Sequence, residues 1–593
     1  MCCFIKKIPI TFLLICFSGT LFAQETRKGF SKGKGGTTDF TIIAKKELAK
    51  PVKQPLQLPP EEKEGDEREM KYPVNVATVK PFTGKLTIVN PPATNIPQAI
   101  QEYPCNNFSA LNSNGTTIPP DVNGAAGFDH LMVTLNSQIR IQNKQGAEID
   151  INSLTGFWNG LGGHNDIFDP KIMYDPYDKR WFFMCCADRI STTSALLLGV
   201  SQTPDPTGRW NTYTIKADPG SLLWFDYPSV GFNRNWITVG GNMYTMTDTS
   251  FSNSRVWVIN KADVYAGLNN INVPFFDRTE FTIVPAVTYN AFDNTNWCVT
   301  RVNSNDNNSG IVRLFSITGT GATPNFNVGS DVNVGPGWAT GGVNGPQQGS
   351  GTGLDLGDDK ILQTTFRNGI LWFGNNVFLP AVNPTTCAAQ IVAIDPSSST
   401  TLENIKTTVD NTGATMNAYP SITVNQNNDI FFGCSTFRTT AYVTSTILFR
   451  RANQGFFIYY YKPGEDWYVN IGTGTVNRWG DYSATYIDPE DDITAWTIQE
   501  YARPKGVGNV GFWGTWWAKV CPGFCLNDLT LSAPNNNVMQ KYEANLTITS
   551  SARIESNSTI KYDAGSRVTL LPGFKATQGS KVKIYIEGCG GIQ

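Results

Sequence analysis

A short phrase returns along the middle of this chain at a nearly constant step. It reads Asp169-Pro170-Lys171-Ile172-Met173-Tyr174-Asp175, then Tyr227-Pro228-Ser229-Val230-Gly231-Phe232-Asn233. Further copies are Val284-Pro285-Ala286-Val287-Thr288-Tyr289-Asn290 and Tyr419-Pro420-Ser421-Ile422-Thr423-Val424-Asn425. A degenerate copy, Asp481-Tyr482-Ser483-Ala484-Thr485-Tyr486, precedes Asp488. The first three prolines stand roughly 57 residues apart, and the fourth follows after about twice that interval. A period of this length marks a repeat architecture, in which each unit buries its apolar faces against its neighbours.

The contents of one period name the repeat. Lys171 to Tyr174, Arg180 to Cys185, Ala195 to Val200 and Trp210 to Ile215 each read as a strand. Asp175-Pro176, Asp178-Lys179 and Asp205-Pro206-Thr207-Gly208 supply the turns between them. Four strands per period is the pattern of a propeller blade. The starts predict an all-β, seven-bladed propeller, with one start eroded near Leu354-Asp355-Leu356-Gly357-Asp358. Six blades is the alternative, because the unit opening at Pro120-Asp121-Val122-Asn123-Gly124 is short. Closing the ring requires a strand from before Asp121 to pair beside Trp513-Gly514-Thr515-Trp516-Trp517, which removes the exposed sheet edges.

The ends of the chain differ from this middle. Lys6-Lys7, the apolar stretch Ile8 to Phe17 and Leu21-Phe22-Ala23 form an export signal over residues 1–23. Residues 24–100 read as a flexible leader, because Lys50-Pro51-Val52-Lys53 and Pro59-Pro60-Glu61-Glu62-Lys63-Glu64 bury too little apolar area to offset their ordering entropy. The propeller is expected over 101–520. From 521 to 593, very short alternating strands such as Leu546-Thr547-Ile548 and Thr559-Ile560-Lys561-Tyr562 predict a small β-solenoid-like module. The chain carries 12 cysteines, and loss of Cys2, Cys3 and Cys16 with the signal leaves an odd number. Adjacent Cys185 and Cys186 read as buried apolar residues on opposite faces of a strand. A bridge to Cys589 from Cys521 or Cys525 would staple the tail.

Two stretches resemble known proteins. Pro119-Pro120-Asp121-Val122-Asn123-Gly124, Phe168-Asp169-Pro170, Asp226-Tyr227-Pro228 and Trp479-Gly480-Asp481-Tyr482-Ser483 resemble uncharacterised secreted bacterial β-propeller proteins. That likeness implies an extracellular propeller and no particular activity. Ala564-Gly565-Ser566-Arg567-Val568-Thr569-Leu570-Leu571-Pro572-Gly573-Phe574 resembles the C-terminal three-coathanger stack modules of exported diderm proteins. It implies a sorting or anchoring tail, and outer-membrane export machinery as a partner.

Charge and residue supply narrow the chemistry. With 16 % charged residues and a net charge of −2, nothing favours nucleic acid, and no later run is long enough to span a bilayer. His130 and His164 are the two histidines, and both read as loop or strand-end residues. Inner strands of a propeller line its channel, so Asp169, Asp226 and Asp481 should converge there with Tyr227, Tyr419 and Arg478. The expected function is a non-catalytic, secreted or cell-surface recognition and adhesion protein. It would bind a glycan or surface protein through exposed aromatics such as Trp224 and Trp479. The alternative is a secreted carbohydrate-active hydrolase with Asp169, Asp226 and Asp481 as its acids. No cofactor is required, although Asp121, Asn123 and Asp488 offer oxygen ligands suited to calcium.

Overall fold

In the computed structural model, the described residues are 26–40, 42–43, 70–75, 79–89 and 104–586, apart from short stretches at 408, 452–455, 472–475, 506–509, 523–527, 533, 536–538, 545 and 557. The export signal, the proline- and glutamate-rich run at 51–64, Cys525 and Cys589 lie outside them. Among the described residues, no helix is long and apolar enough to cross a membrane.

The chain is all-β and β-propeller-like, built from successive antiparallel meanders. The first is Asn123–Ala126, His130–Thr134, Gln138–Asn143 and Glu148–Ser153. Ile167–Asp175, Arg180–Ala187, Ala195–Ser201 and Arg209–Lys216 form the next. Leu223–Phe232 opens the third, and Val284–Pro285 with Val287–Thr288 opens the fourth. Ile361–Arg367, Thr415–Val424 and Ala484–Ile487 open those that follow. In the last, Ala484–Ile487, Ala495–Arg503 and Phe512–Val520 are completed by Asn106–Asn112, which precedes every other meander in sequence. The expected closing strand is therefore present. Its edge is tied by a disulfide between Cys105 and Cys521 rather than by a bridge from Cys521 to Cys589.

The repeated proline has a mechanical reason. In the second, third and sixth meanders the ladder breaks between Phe168 and Lys171, Asp226 and Ser229, and Ala418 and Ser421. Proline lacks an N–H and cannot serve a ladder, so it sits where a bulge lifts two residues out of register. The residue before it takes the strained left-handed conformation: φ is +52° at Asp169, +55° at Tyr227 and +57° at Tyr419. Asp121 at +52° and Thr282 at +54° hold the same conformation at the entries of their own meanders. Each such residue costs on the order of 1–3 kcal/mol, and side chains so aimed are characteristic of functional sites.

The leader corrects one expectation. Residues 27–39 are a continuous strand, paired with Arg209–Lys216 on one side and Asn270–Arg278 on the other. It joins the outer edges of the second and third meanders into one sheet. Further on, Tyr72 and Arg301 bond across to the fourth meander and the leader, and Lys85–Val89 pairs in parallel with Thr400–Thr407. The outermost strands of the meanders left unpaired N–H and C=O groups, and that need outweighed the leader's low apolar content.

The tail is built differently. Asp528–Leu531, Thr547–Ser550 and Arg567–Leu570 stack in parallel, as do Met539–Ala544, Thr559–Ala564 and Lys581–Tyr585. Each strand pairs with one roughly 20 residues on. Ile548, Ile554, Ile560 and Tyr562 fill the narrow core between the faces.

Candidate functional site

The inner strands bring the entry residues of several meanders together. Asn136 is the first link: its Nδ2 donates to Asp121 Oδ2 at 2.6 Å, and its Oδ1 accepts the Asp169 amide at 2.8 Å. The Asp481 amide donates to Asp121 Oδ1 at 3.1 Å. Tyr482 donates its hydroxyl to Asp169 Oδ2 at 2.7 Å, and its ring lies 4.9 Å from that of Tyr227. Residues from the first, second, third and last meanders thus meet in one largely buried cluster. Arg478 holds Asp481 Oδ2 at 2.6 Å, and these two side chains are the most open of the group at 23 % and 21 % exposed.

Burial and like charge set the protonation. Burial, followed by the nearby carboxylates of Asp481 and Asp169, pushes Asp121 well above the usual carboxylate range. Glu500 lies behind them, also pushed well above its ordinary value by burial and then by Asp121. Lys171, whose ammonium sits over the Tyr482 ring, is lowered to about 7 by burial, against the pull of Asp169, Asp121 and Asp481. The cluster therefore sets a carboxyl held above its ordinary range, Asp121, beside one ion-paired with Arg478, Asp481. Such a pair is the working arrangement of acid–base catalysis.

Several expected residues fall elsewhere. Asp226 Oδ1 caps the Tyr227 amide within its own bulge at 2.7 Å. Tyr419 belongs to the packing between meanders, donating its hydroxyl to the Asp355 carbonyl at 2.9 Å. Trp479 is 1 % exposed, donates to Ser435 Oγ and packs on Tyr468, while Trp224 is 2 % exposed against Tyr244. The calcium set disperses too. Asp488 is held by Lys144 at 2.7 Å and Lys519 at 3.0 Å, Asn123 Oδ1 takes the Ile172 amide, and Asp121 belongs to the acid cluster. Among the described residues, no group of three or more His, Cys, Asp or Glu is placed to hold a metal. His164 is a loop residue satisfied by Asp188 and Thr214.

Lys171, Asn136 and Glu500 were not anticipated. Lys171 stands inside the repeated phrase, and Asp121 aligns with Asp169 when the short first unit is laid over it, so both left a trace in the sequence. Asn136 and Glu500 lie in a turn and a second strand, where nothing local marks them.

No family model and no curated protein matches the chain. Among solved structures, it is similar to a Synechocystis apocarotenoid oxygenase at 11 % identity, over 58 % of this chain and 73 % of that one, with a TM-score of 0.34. It is similar to a Trypanosoma rangeli sialidase in complex with sialic acid at 12 % identity, over 65 % and 57 %, with a TM-score of 0.34. The third is a Fusarium graminearum α-L-arabinofuranosidase, at 12 % identity over 70 % and 97 %, with a TM-score of 0.31. The reading as a non-catalytic adhesion protein is corrected. The aromatics that its binding face required, Trp224, Tyr227, Tyr419 and Trp479, are buried and present no exposed platform.

Proposed function

We propose that this chain is an exported carbohydrate-active hydrolase working at the entry end of a seven-bladed propeller channel. The reading counts the meander closed by Asn106–Asn112 as the seventh blade, and takes the parallel tail as a solenoid that serves as surface anchor or export address. One observation carries it: Asp121, whose carboxyl burial holds well above the usual range, accepts the Asp481 amide at 3.1 Å, while the Asp481 side chain is ion-paired with Arg478. In this reading Asp121 gives its proton to the glycosidic oxygen as the bond to the leaving group breaks. Asp481 is the carboxylate that takes a proton from the water whose oxygen bonds to the anomeric carbon as the leaving group departs. Asp169, fixed by Tyr482 and Asn136, helps to raise the Asp121 carboxyl by its charge and is a positioning residue.

The test is product release, by mass spectrometry, from a pool of polysaccharides and host-type glycans treated with the full chain. New fragments are expected, and Asp121→Asn and Asp481→Asn should each lower their rate by about 100-fold or more while thermal unfolding stays cooperative. Intact polysaccharides after treatment with folded protein would end this reading.

A further inference from the structure

The inner strands have a second end. From Asp169 to Tyr174, a run at about 3.3 Å per residue carries the chain some ~16 Å along the channel, away from the acid cluster. There the strand ends surround a cavity of about 260 Å³ lined by Tyr174, Tyr177, Phe232, Tyr289, Tyr486 and Asp492. The rings belong to different meanders and meet edge to face: Tyr177 lies 6.1 Å from Phe232, which lies 6.4 Å from Tyr289. An aromatic wall of this kind offers apolar faces to a flat ligand.

The polar groups at the cavity are incompletely used. The Tyr174 hydroxyl, on a residue only 6 % exposed, has no hydrogen-bond partner among the described residues. Asp492, which lines the cavity, is paired with Nη2 of Arg367, whose guanidinium lies 5.7 Å from the centre of the Tyr289 ring. A buried donor left unmade costs about 1–3 kcal/mol, so the Tyr174 hydroxyl in the cavity lining calls for a partner. The complement of ring faces, a phenol and a carboxylate is a molecule with apolar C–H faces and hydroxyls around its rim. That describes a pyranose.

We propose that this exit-end cavity is a sugar-binding subsite that takes a single pyranose unit. The unit belongs to the polysaccharide that the acid cluster cleaves, and in that respect the inference rests on the hydrolase reading. Its occupant lies across the channel from the acid cluster, so the subsite holds polymer on the enzyme without taking part in the chemistry.

Saturation-transfer NMR of the full chain with methyl glycopyranosides of the neutral hexoses and pentoses tests this directly. At least one is expected to bind, with transfer strongest at its axial C–H protons. Ala291→Trp, which fills the cavity from a half-buried turn position, and Asp492→Asn should each weaken that binding about tenfold or more. Asp121→Asn should leave the affinity unchanged. Binding that vanishes in Asp121→Asn and survives in Ala291→Trp would put the sugar at the acid cluster and overturn the subsite. So would the absence of binding by any glycoside to folded wild-type protein. Binding that Ala291→Trp abolishes, in a protein that releases no fragments, would keep the subsite and remove the hydrolase.

Discussion

Asp121 and Lys171 are the residues on which pH acts. The Asp121 carboxyl is held well above its ordinary value by burial and by its acidic neighbours, so it carries a proton at pH values where an exposed aspartate does not. A general acid works only while protonated. Activity should therefore fall as pH rises through its raised value, and this carboxyl should form the alkaline limb of the pH–rate profile. Lys171 tunes that limb. Its charge and that of Asp121 attract each other, and the ammonium releases its proton at about 7. Lys171→Met removes a nearby cation that favours the ionised form of Asp121, so the limb should move to higher pH. A profile of kcat/KM with an unmoved alkaline limb in that variant would detach the lysine from the acid. Part of this cluster is visible in the repeated phrase, since Asp169, Lys171 and Asp481 stand at its recurring positions. Protonation state is not visible there, because it depends on burial supplied by four separate meanders.

Single strands show where the primary structure speaks and where it does not. The X-Pro step foretells the ladder break in the inner strands of the second, third and sixth meanders, because the missing N–H is a local property. In the fourth, by contrast, Pro285 stays in register with Cys298. The strand at 27–39 is different. Its Gly-Lys-Gly-Gly composition reads as a linker, and only the two open edges it joins, far away in sequence, make it a strand. Gly29 and Gly33 are needed for that close approach: a Cβ on Gly33 would stand 2.6 Å from Ile271 and 3.2 Å from Ile215. Gly33→Val should thus force the strap away from both sheets, at a cost of about 1–3 kcal/mol. Limited proteolysis should then cut between residues 25 and 43 while the meanders stay resistant. Equal resistance of the strap in variant and wild type would mean that it is not held by these edges. The buried aromatics carry the same lesson. Trp479 looked like a binding platform beside the acids, yet Tyr468 and Phe437 cover it from positions no local pattern connects to it.

At the level of the whole molecule, stability turns on how the ring is closed. Asn106–Asn112 joins Phe512–Val520 as the last strand of the last meander, so the two ends of the repeat are held in one sheet. The Thr515 hydroxyl donates to the Leu111 carbonyl and accepts the Leu111 amide across this seam, and Gly124 lies against Trp517. The disulfide between Cys105 and Cys521 stands just outside the same strands and spans 416 residues of sequence. A crosslink over so long a segment removes much of the freedom of the unfolded chain, and its loss should cost about 2–5 kcal/mol. The cost should be local in its first effect. Once the link is cut, Asn106–Asn112 can peel away while the other meanders remain paired, because each needs only its neighbours. Cys105→Ser is therefore expected to lower the unfolding temperature and to speed amide exchange first at residues 106–112 and 512–520. Reductant should do the same to wild-type protein and nothing further to the variant. If exchange instead rises evenly over all the meanders, the ring unfolds as one cooperative body, and the seam is not its weak point.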